Sequence, residues 1–169
     1  MTDISNITWD DHGQLEVLTF SLREESFAIE AMLVREILDL LPETSVPGAR
    51  RLVGSVTNFR GKVIPIADLG LAFGMPAAEA SADSRIIVIE VPLDGEPALI
   101  GIRTDKVHEV ATFDRTDSED PPAVGLSWRR EFIRCLVRRP GGVTVLPDLN
   151  AIFAAAGEGS PDPLQLHAA

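Results

Sequence analysis

Few side chains in this sequence could do chemistry, and they are scattered. Two glutamates, Glu36 and Glu109, stand in matching settings, Val34-Arg35-Glu36-Ile37 and Val107-His108-Glu109-Val110. Paired carboxylates are what glycoside hydrolysis uses, but a duplicated structural motif explains the match more simply. The histidines, His12, His108 and His167, lack the spacing of metal ligands. No phosphate-binding loop, nucleophile elbow or dinucleotide fingerprint occurs. The single cysteine, Cys135, excludes an intrachain disulfide and a multi-cysteine metal site, and reads as a small core residue. What remains is recognition chemistry. Arg60 stands beside Gly61 in a tight turn, where a long donor fork can reach a partner's carboxylate. Asn58 either orients that turn or lines a binding groove. Glu36 either presents a carboxylate to a partner or pairs with Arg60. Arg129, Arg130, Arg134, Arg138 and Arg139 form a basic cluster, serving an acidic partner or, as the simpler reading, carboxylates of the same molecule. The expectation is a non-enzymatic protein with no metal and no cofactor.

Bulk properties narrow the partners. The net charge of −11 over 169 residues repels phosphate backbones and anionic lipid surfaces, so nucleic-acid binding is not expected. No apolar run approaches the roughly 20 residues needed to span a bilayer. Met1 to Gln14 is polar and acidic, without the basic and apolar regions of a signal peptide, and reads as a flexible lead-in. A lone cysteine fits a reducing compartment, so the expected location is cytoplasmic. Tyr is absent and aromatics are only 5%, so the core must come from branched aliphatics, which favour strands.

The elements that would hold these residues are short. Leu15–Leu22 alternates like a half-buried strand, and Phe27 and Ile29 open a second. Ala31–Leu41 has Leu33, Ile37 and Leu40 at helical spacing, and periodicity alone leans towards helix. Leu52–Phe59 and Val63–Ile66 flank the Arg60-Gly61-Lys62 turn. Asp68 reads as the N-cap of a short helix over Leu69–Phe73, stopped by Gly74 and Pro76. Ser84–Val91, Ala98–Ile102 and Lys106–Val110 are further strands. Asp114–Pro122 is an acidic loop. Phe132–Arg138 and Val143–Leu146 form another hairpin, and Asp148 caps a second short helix ending near Phe153. A frayed tail is expected beyond it.

An internal repeat organises this series. Leu52–Phe73 aligns without a gap on Phe132–Phe153, matching Gly61 with Gly141, Val63 with Val143, Asp68-Leu69 with Asp148-Leu149, and Phe73 with Phe153. The two Val-x-Glu segments repeat upstream. Each copy is too small to be comfortably stable alone, so the copies should pack together. Short antiparallel strands without long helices suggest small barrels, which remove exposed edges. The copies differ at one hairpin, since Pro140 stands where Arg60 does, so the second copy has lost that arginine.

Val34-x-Glu36-Ile37, Val46-Pro47, Asn58-Phe59-Arg60-Gly61, Pro65-Ile66-x-Asp68-Leu69 with Phe73, and the later Gly101-Ile102, Asp105 and Val107-x-Glu109-Val110 together resemble the CheW family of chemotaxis coupling proteins. The resemblance runs from about Leu15 to Ala155. It departs at Ser55 and Cys135, where small residues replace glycine, at Gly70, where arginine is common, and at Arg50, where proline is. The resemblance implies a mostly β fold of two tandem Src-homology-3-like five-stranded barrels, about 15–80 and 84–155, with strand or terminus exchange allowed. Flanking segments 1–14 and 156–169 would be flexible. It overrides the helical reading of Val34–Leu41 in favour of strand. It also implies a non-catalytic adaptor that couples chemoreceptor cytoplasmic tips to the regulatory domain of the histidine kinase CheA. Such an adaptor would be monomeric in isolation, not inserted in the membrane, and recruited to receptor arrays at the inner membrane. A receptor site at Val34, Glu36, Asn58, Arg60 and Gly61, in a groove between the barrels, is the corresponding expectation. A similar adaptor in a surface-motility or developmental pathway is the alternative.

Overall fold

The computed structural model describes residues 9–48, 51–122 and 128–157. The chain runs β1 (Gln14–Leu22), β2 (Glu25–Glu30), β3 (Val34–Asp39), β4 (Thr44–Ser45), β5 (Ser55–Phe59), β6 (Lys62–Ala67) and α1 (Leu69–Ala72). It continues with β7 (Arg85–Leu93), β8 (Glu96–Thr104), β9 (Lys106–Asp114), β10 (Ser118–Glu119), β11 (Ile133–Arg139), β12 (Gly142–Pro147) and α2 (Leu149–Gly157). Single 3-10 turns lie at Ala31–Leu33, Arg51–Val53, Arg115–Asp117 and Arg130–Phe132.

The strands form two six-stranded sheets, β10-β11-β12-β2-β1-β9 and β3-β7-β8-β6-β5-β4. Each consists of five long strands and one two-residue strand, and the pair makes the two tandem Src-homology-3-like barrels. The sheets have the same order once β1 is matched to β7, β2 to β8, and β3–β6 to β9–β12. Even the parallel contact recurs, Val145 beside Phe27 in one sheet and Ile66 beside Gly101 in the other. The barrels do not follow the boundary at 80–84. The first hairpin of each copy, β1-β2 or β7-β8, pairs with the remaining strands of the other copy, so the copies exchange hairpins.

That exchange explains the burial of the hairpins. Along β1, Leu18, Phe20 and Leu22 enter a large cluster shared by both sheets and both helices, while Leu15 and Val17 fill the interior of their own barrel. Along β7, Ile87, Ile89 and Val91 join the shared cluster, and Ile86 and Val88 fill the other barrel with Ile64 and Ile66. Strands buried on both faces read as continuous aliphatic runs, which is the pattern of Ile86–Ile89. Phe27, Phe73 and Trp128 meet in the shared cluster, with ring centroids 5.1–5.9 Å apart.

Val34–Asp39 is a strand, and helical periodicity over Ala31–Leu41 misleads. The helical spacing of Leu33 and Ile37 has no helix to serve, because Ile37 and its neighbours pair with β7. Only Ala31–Leu33 makes a single 3-10 turn. Both cap assignments hold: Asp68 Oδ1 accepts from the Gly70 N–H at 3.0 Å and Asp148 Oδ1 from the Ala151 N–H at 3.0 Å. The second helix runs past Phe153 to Gly157, because Ala154–Ala156 are good helix formers. The segment after β9 is more ordered than an acidic loop. Asp114 caps the 3-10 turn by accepting from the Thr116 N–H and Oγ1, which hold its carboxyl below the usual range. Ser118–Glu119 then pairs with β11.

Candidate interaction site

β5 and β6 are joined by Arg60 and Gly61, with φ of 53° and 78°. Two successive left-handed residues make the turn that matches strand twist, and glycine fills the second without steric cost. Asn58 Oδ1 accepts from the Gly61 N–H at 2.9 Å, so Asn58 orients the turn. The Arg60 guanidinium lies 5.2 Å from the Phe59 ring centroid, and its Nη2 sits 2.6 Å from Glu36 Oε2. Glu36 follows a register shift in the β3–β7 ladder, and the pair ties the sheet's edge strand to the hairpin tip. The Arg60 side chain remains 72% exposed and that of Glu36 30%, so the pair is available to a partner. Val34 opens β3 opposite Ile89 and packs against the shared core. The structure therefore brings Glu36 and Arg60 together, uses Asn58 and Gly61 to shape the turn, and turns Val34 partly inward. Exposed Ile37 and Val63 lie on the same two elements, β3 and β6.

The second copy has not lost its acid–arginine pair. Arg139, one position earlier than the equivalent of Arg60, places Nη2 3.4 Å from Glu109 Oε1 and stacks its guanidinium 4.9 Å from the Phe113 ring centroid. Sequence comparison by position missed this, because a long side chain can reach the same carboxylate from the neighbouring strand residue. Exposed Val110 and Val143 occupy the places of Ile37 and Val63.

Each arginine of the cluster has a partner within the molecule. Arg129 pairs with Glu131, Arg134 with Glu30 and Arg138 with Glu119, at 2.6–2.9 Å. Arg130 Nε donates to Pro121 O at 3.1 Å. Burial of Cys135 pushes its thiol up to about 11, as befits a core residue.

One functional-looking arginine was not visible in the sequence. Arg23, in the β1–β2 turn, donates from Nη2 to Asp68 Oδ2 at 2.5 Å, from Nε to Pro76 O at 2.8 Å and from its backbone N–H to Asp105 Oδ2. It joins the exchanged hairpin to the helix of the other sheet. No signal short of knowing the exchange could place it there.

Two pseudo-equivalent barrels, each with an acid–arginine pair and exposed aliphatics at a hairpin end, define a tandem-barrel protein-interaction module. The CheW-like domain family model matches residues 16–157, and the chain belongs to the CheW family. It is 31% identical to the chemotaxis protein CheW of Rhizobium meliloti over 142 residues, covering 84% of this chain and 89% of that one. It is 28% identical to the Treponema pallidum chemotaxis protein CheW, covering 84% of each. The crystal structure of the scaffolding protein TtCheW from Thermoanaerobacter tengcongensis superposes with a TM-score of 0.73 at 28% identity, over 88% of this chain and 97% of that one.

Proposed function

We propose that this chain is a non-catalytic chemotaxis scaffold that couples the cytoplasmic tips of chemoreceptors to the regulatory domain of a CheA-like histidine kinase. The observation that carries the receptor half is the Glu36–Arg60 pair at 2.6 Å, at an exposed hairpin tip. A guanidinium held by one carboxylate keeps free N–H donors for a second, so a receptor side chain can join or exchange the pair. Asn58 and Gly61 hold the turn in the presenting conformation, and Val34 anchors the strand that carries Glu36. Exposed Ile37 and Val63 supply apolar area beside the charges. Family membership supports the kinase half. Coupling then works as differential affinity: a receptor state that alters the scaffold's fit to one kinase state shifts the kinase population. The scaffold works in the cytoplasm and is recruited to receptor arrays.

The test is calorimetric titration of the protein into the regulatory domain of the CheA-like kinase from the same organism. Saturable one-to-one binding is expected. Absence of heat with both proteins folded would overturn the kinase assignment and move the barrels to another receptor–kinase pathway.

A further inference from the structure

The two exchanged hairpins carry opposite charges at equivalent positions. Leu18 faces Val110 as Ile87 faces Ile37, and Val110 is the repeat counterpart of Ile37. Glu30, opposite Val17, is therefore the counterpart of Arg103, opposite Ile86. Both stand near the point where the chain leaves its hairpin for the other sheet, β2 before β3 and β8 before β9. Each meets a charge of opposite sign that belongs to the other copy. Glu30 Oε1 accepts from Arg134 Nη1 of β11 at 2.7 Å, with side chains only 13% and 9% exposed. Arg103 Nη2 donates to Glu43 Oε1, which also accepts from Ser55 Oγ of β5 at 2.5 Å. Glu43 is 17% exposed and Arg103 32%. The two partners sit at the same level of their barrels: Arg134 directly precedes Cys135, and Glu43 is held by Ser55, the counterpart of Cys135.

The polarity of these pairs distinguishes two ways of closing the barrels. If each hairpin completed the barrel of its own copy, Glu30 would stand beside Glu43 and Arg103 beside Arg134. Like charges held out of water repel with little screening, and each would be a buried charge without a counter-ion. The apolar faces do not make this distinction, since Leu18, Phe20 and Leu22 of β1 and Ile87, Ile89 and Val91 of β7 enter the same shared cluster. Nor is strength the reason for the Glu30–Arg134 pair. Arg134 Nε is buried and has no hydrogen-bond partner, and a buried ion pair with an unsatisfied donor is a weak source of stability. What opposite charges at matched positions do supply is a penalty on the wrong pairing.

We propose that these four charges assign each hairpin to the barrel of the opposite copy, Glu30 and Arg103 being the labels and Arg134 and Glu43 the groups that read them. The exchanged fold carries two ion pairs, and the fold in which each copy closes on itself is disfavoured by two like-charge contacts. The device keeps both barrels on one shared core.

Variants of the isotope-labelled full-length protein are compared by urea unfolding and by nuclear magnetic resonance, which reads the cross-strand contacts Phe27–Val145 and Gly101–Ile66. Glu30→Arg with Arg103→Glu exchanges the labels, and this reversed double variant is expected to lose both contacts. New contacts between Ala28 and Ile66, the register of a self-closed copy, would show the switched assignment directly. Adding Glu43→Arg and Arg134→Glu reverses all four charges, and should restore both native contacts and most of the parent's urea midpoint. Glu30→Gln with Arg103→Gln breaks both pairs without reversing them. It should keep both contacts, with a midpoint between those of the parent and the reversed double variant. The proposal is overturned if the reversed double variant keeps both contacts, even at a lowered midpoint, because the pairs would then only stabilise. It is also overturned if the fourfold variant does not regain the contacts, or if the Gln variant is damaged as much as the reversed one. Outright unfolding of the reversed double variant counts as loss of the contacts, and the fourfold and Gln variants then decide whether polarity is the cause. Receptor and kinase binding do not enter these readouts, so this proposal and the proposed function can fail separately.

Discussion

The guanidinium of Arg23 occupies the space a side chain on Gly70 would need: a Cβ there would stand 2.8 Å from Arg23 Cζ and Nη1. Arg23 belongs to the hairpin of one sheet and Gly70 to the first turn of the helix that follows the other. Glycine costs a helix interior about 1 kcal/mol relative to alanine, and here an added methyl would have to displace the Arg23 guanidinium from Asp68 and Pro76. Gly70→Ala is therefore expected to lose about 1–3 kcal/mol by overpacking, against its propensity gain. In an Arg23→Ala background the same change should be neutral or stabilising. Urea unfolding of the two single variants and the double variant measures the coupling; additive losses would show that the two residues do not act as a pair.

Arg60→Ala should leave stability within about 1 kcal/mol, because the Glu36–Arg60 pair lies at the surface. Receptor-dependent kinase control in a reconstituted array should fall, while affinity for the kinase regulatory domain stays. An unfolded variant, or undiminished coupling, would remove Arg60 from the receptor site.

Phe27→Ala should cost about 3–5 kcal/mol, since Phe27 is fully buried in the cluster the barrels share. Because the copies exchange hairpins, neither barrel can keep its sheet when the other opens. Thermal melts followed by Trp fluorescence and by far-ultraviolet circular dichroism should coincide in the variant as in the parent. Two separated transitions would mean that the barrels are energetically independent.

Cys135 should react with a thiol reagent at neutral pH only as fast as the protein opens, because burial raises its pKa from the ordinary 9.0 to about 11. The sign of the stability effect follows from the neutral thiol being favoured in the fold. The contribution is full below about pH 9 and is lost as pH rises towards 11. Cys135→Ser should flatten that part of the pH–stability curve; an identical slope in parent and variant would assign the loss to other groups.

Much of the fold was legible because it rests on local chemistry. Gly61 and Gly141 mark turns that need left-handed backbone, and Asp68 and Asp148 announce helix starts by satisfying free N–H groups. The run Ile86–Ile89 reads as a strongly apolar strand. The duplicated Val-x-Glu and turn motifs exposed the repeat and with it the family. Val34–Asp39 was legible only through that resemblance, because spacing within the segment favours helix and only pairing with β7 makes it a strand. Of the site, the Glu36–Arg60 pairing is among the readings open from the sequence, and of the two roles open for Asn58 the contact with Gly61 supports the turn-orienting one.

The sequence by itself determined the β class, the two-copy organisation, the turns, the caps and the candidate charges, because each depends on residues near one another along the chain. Only the tertiary structure decided which hairpin completes which barrel, since a strand with two apolar faces is equally suited to either sheet. That choice places Arg23 over Gly70 and lets Arg139 reach Glu109. Both are contacts between distant segments, and their energies depend on distance in space and on exclusion of water rather than on separation along the chain.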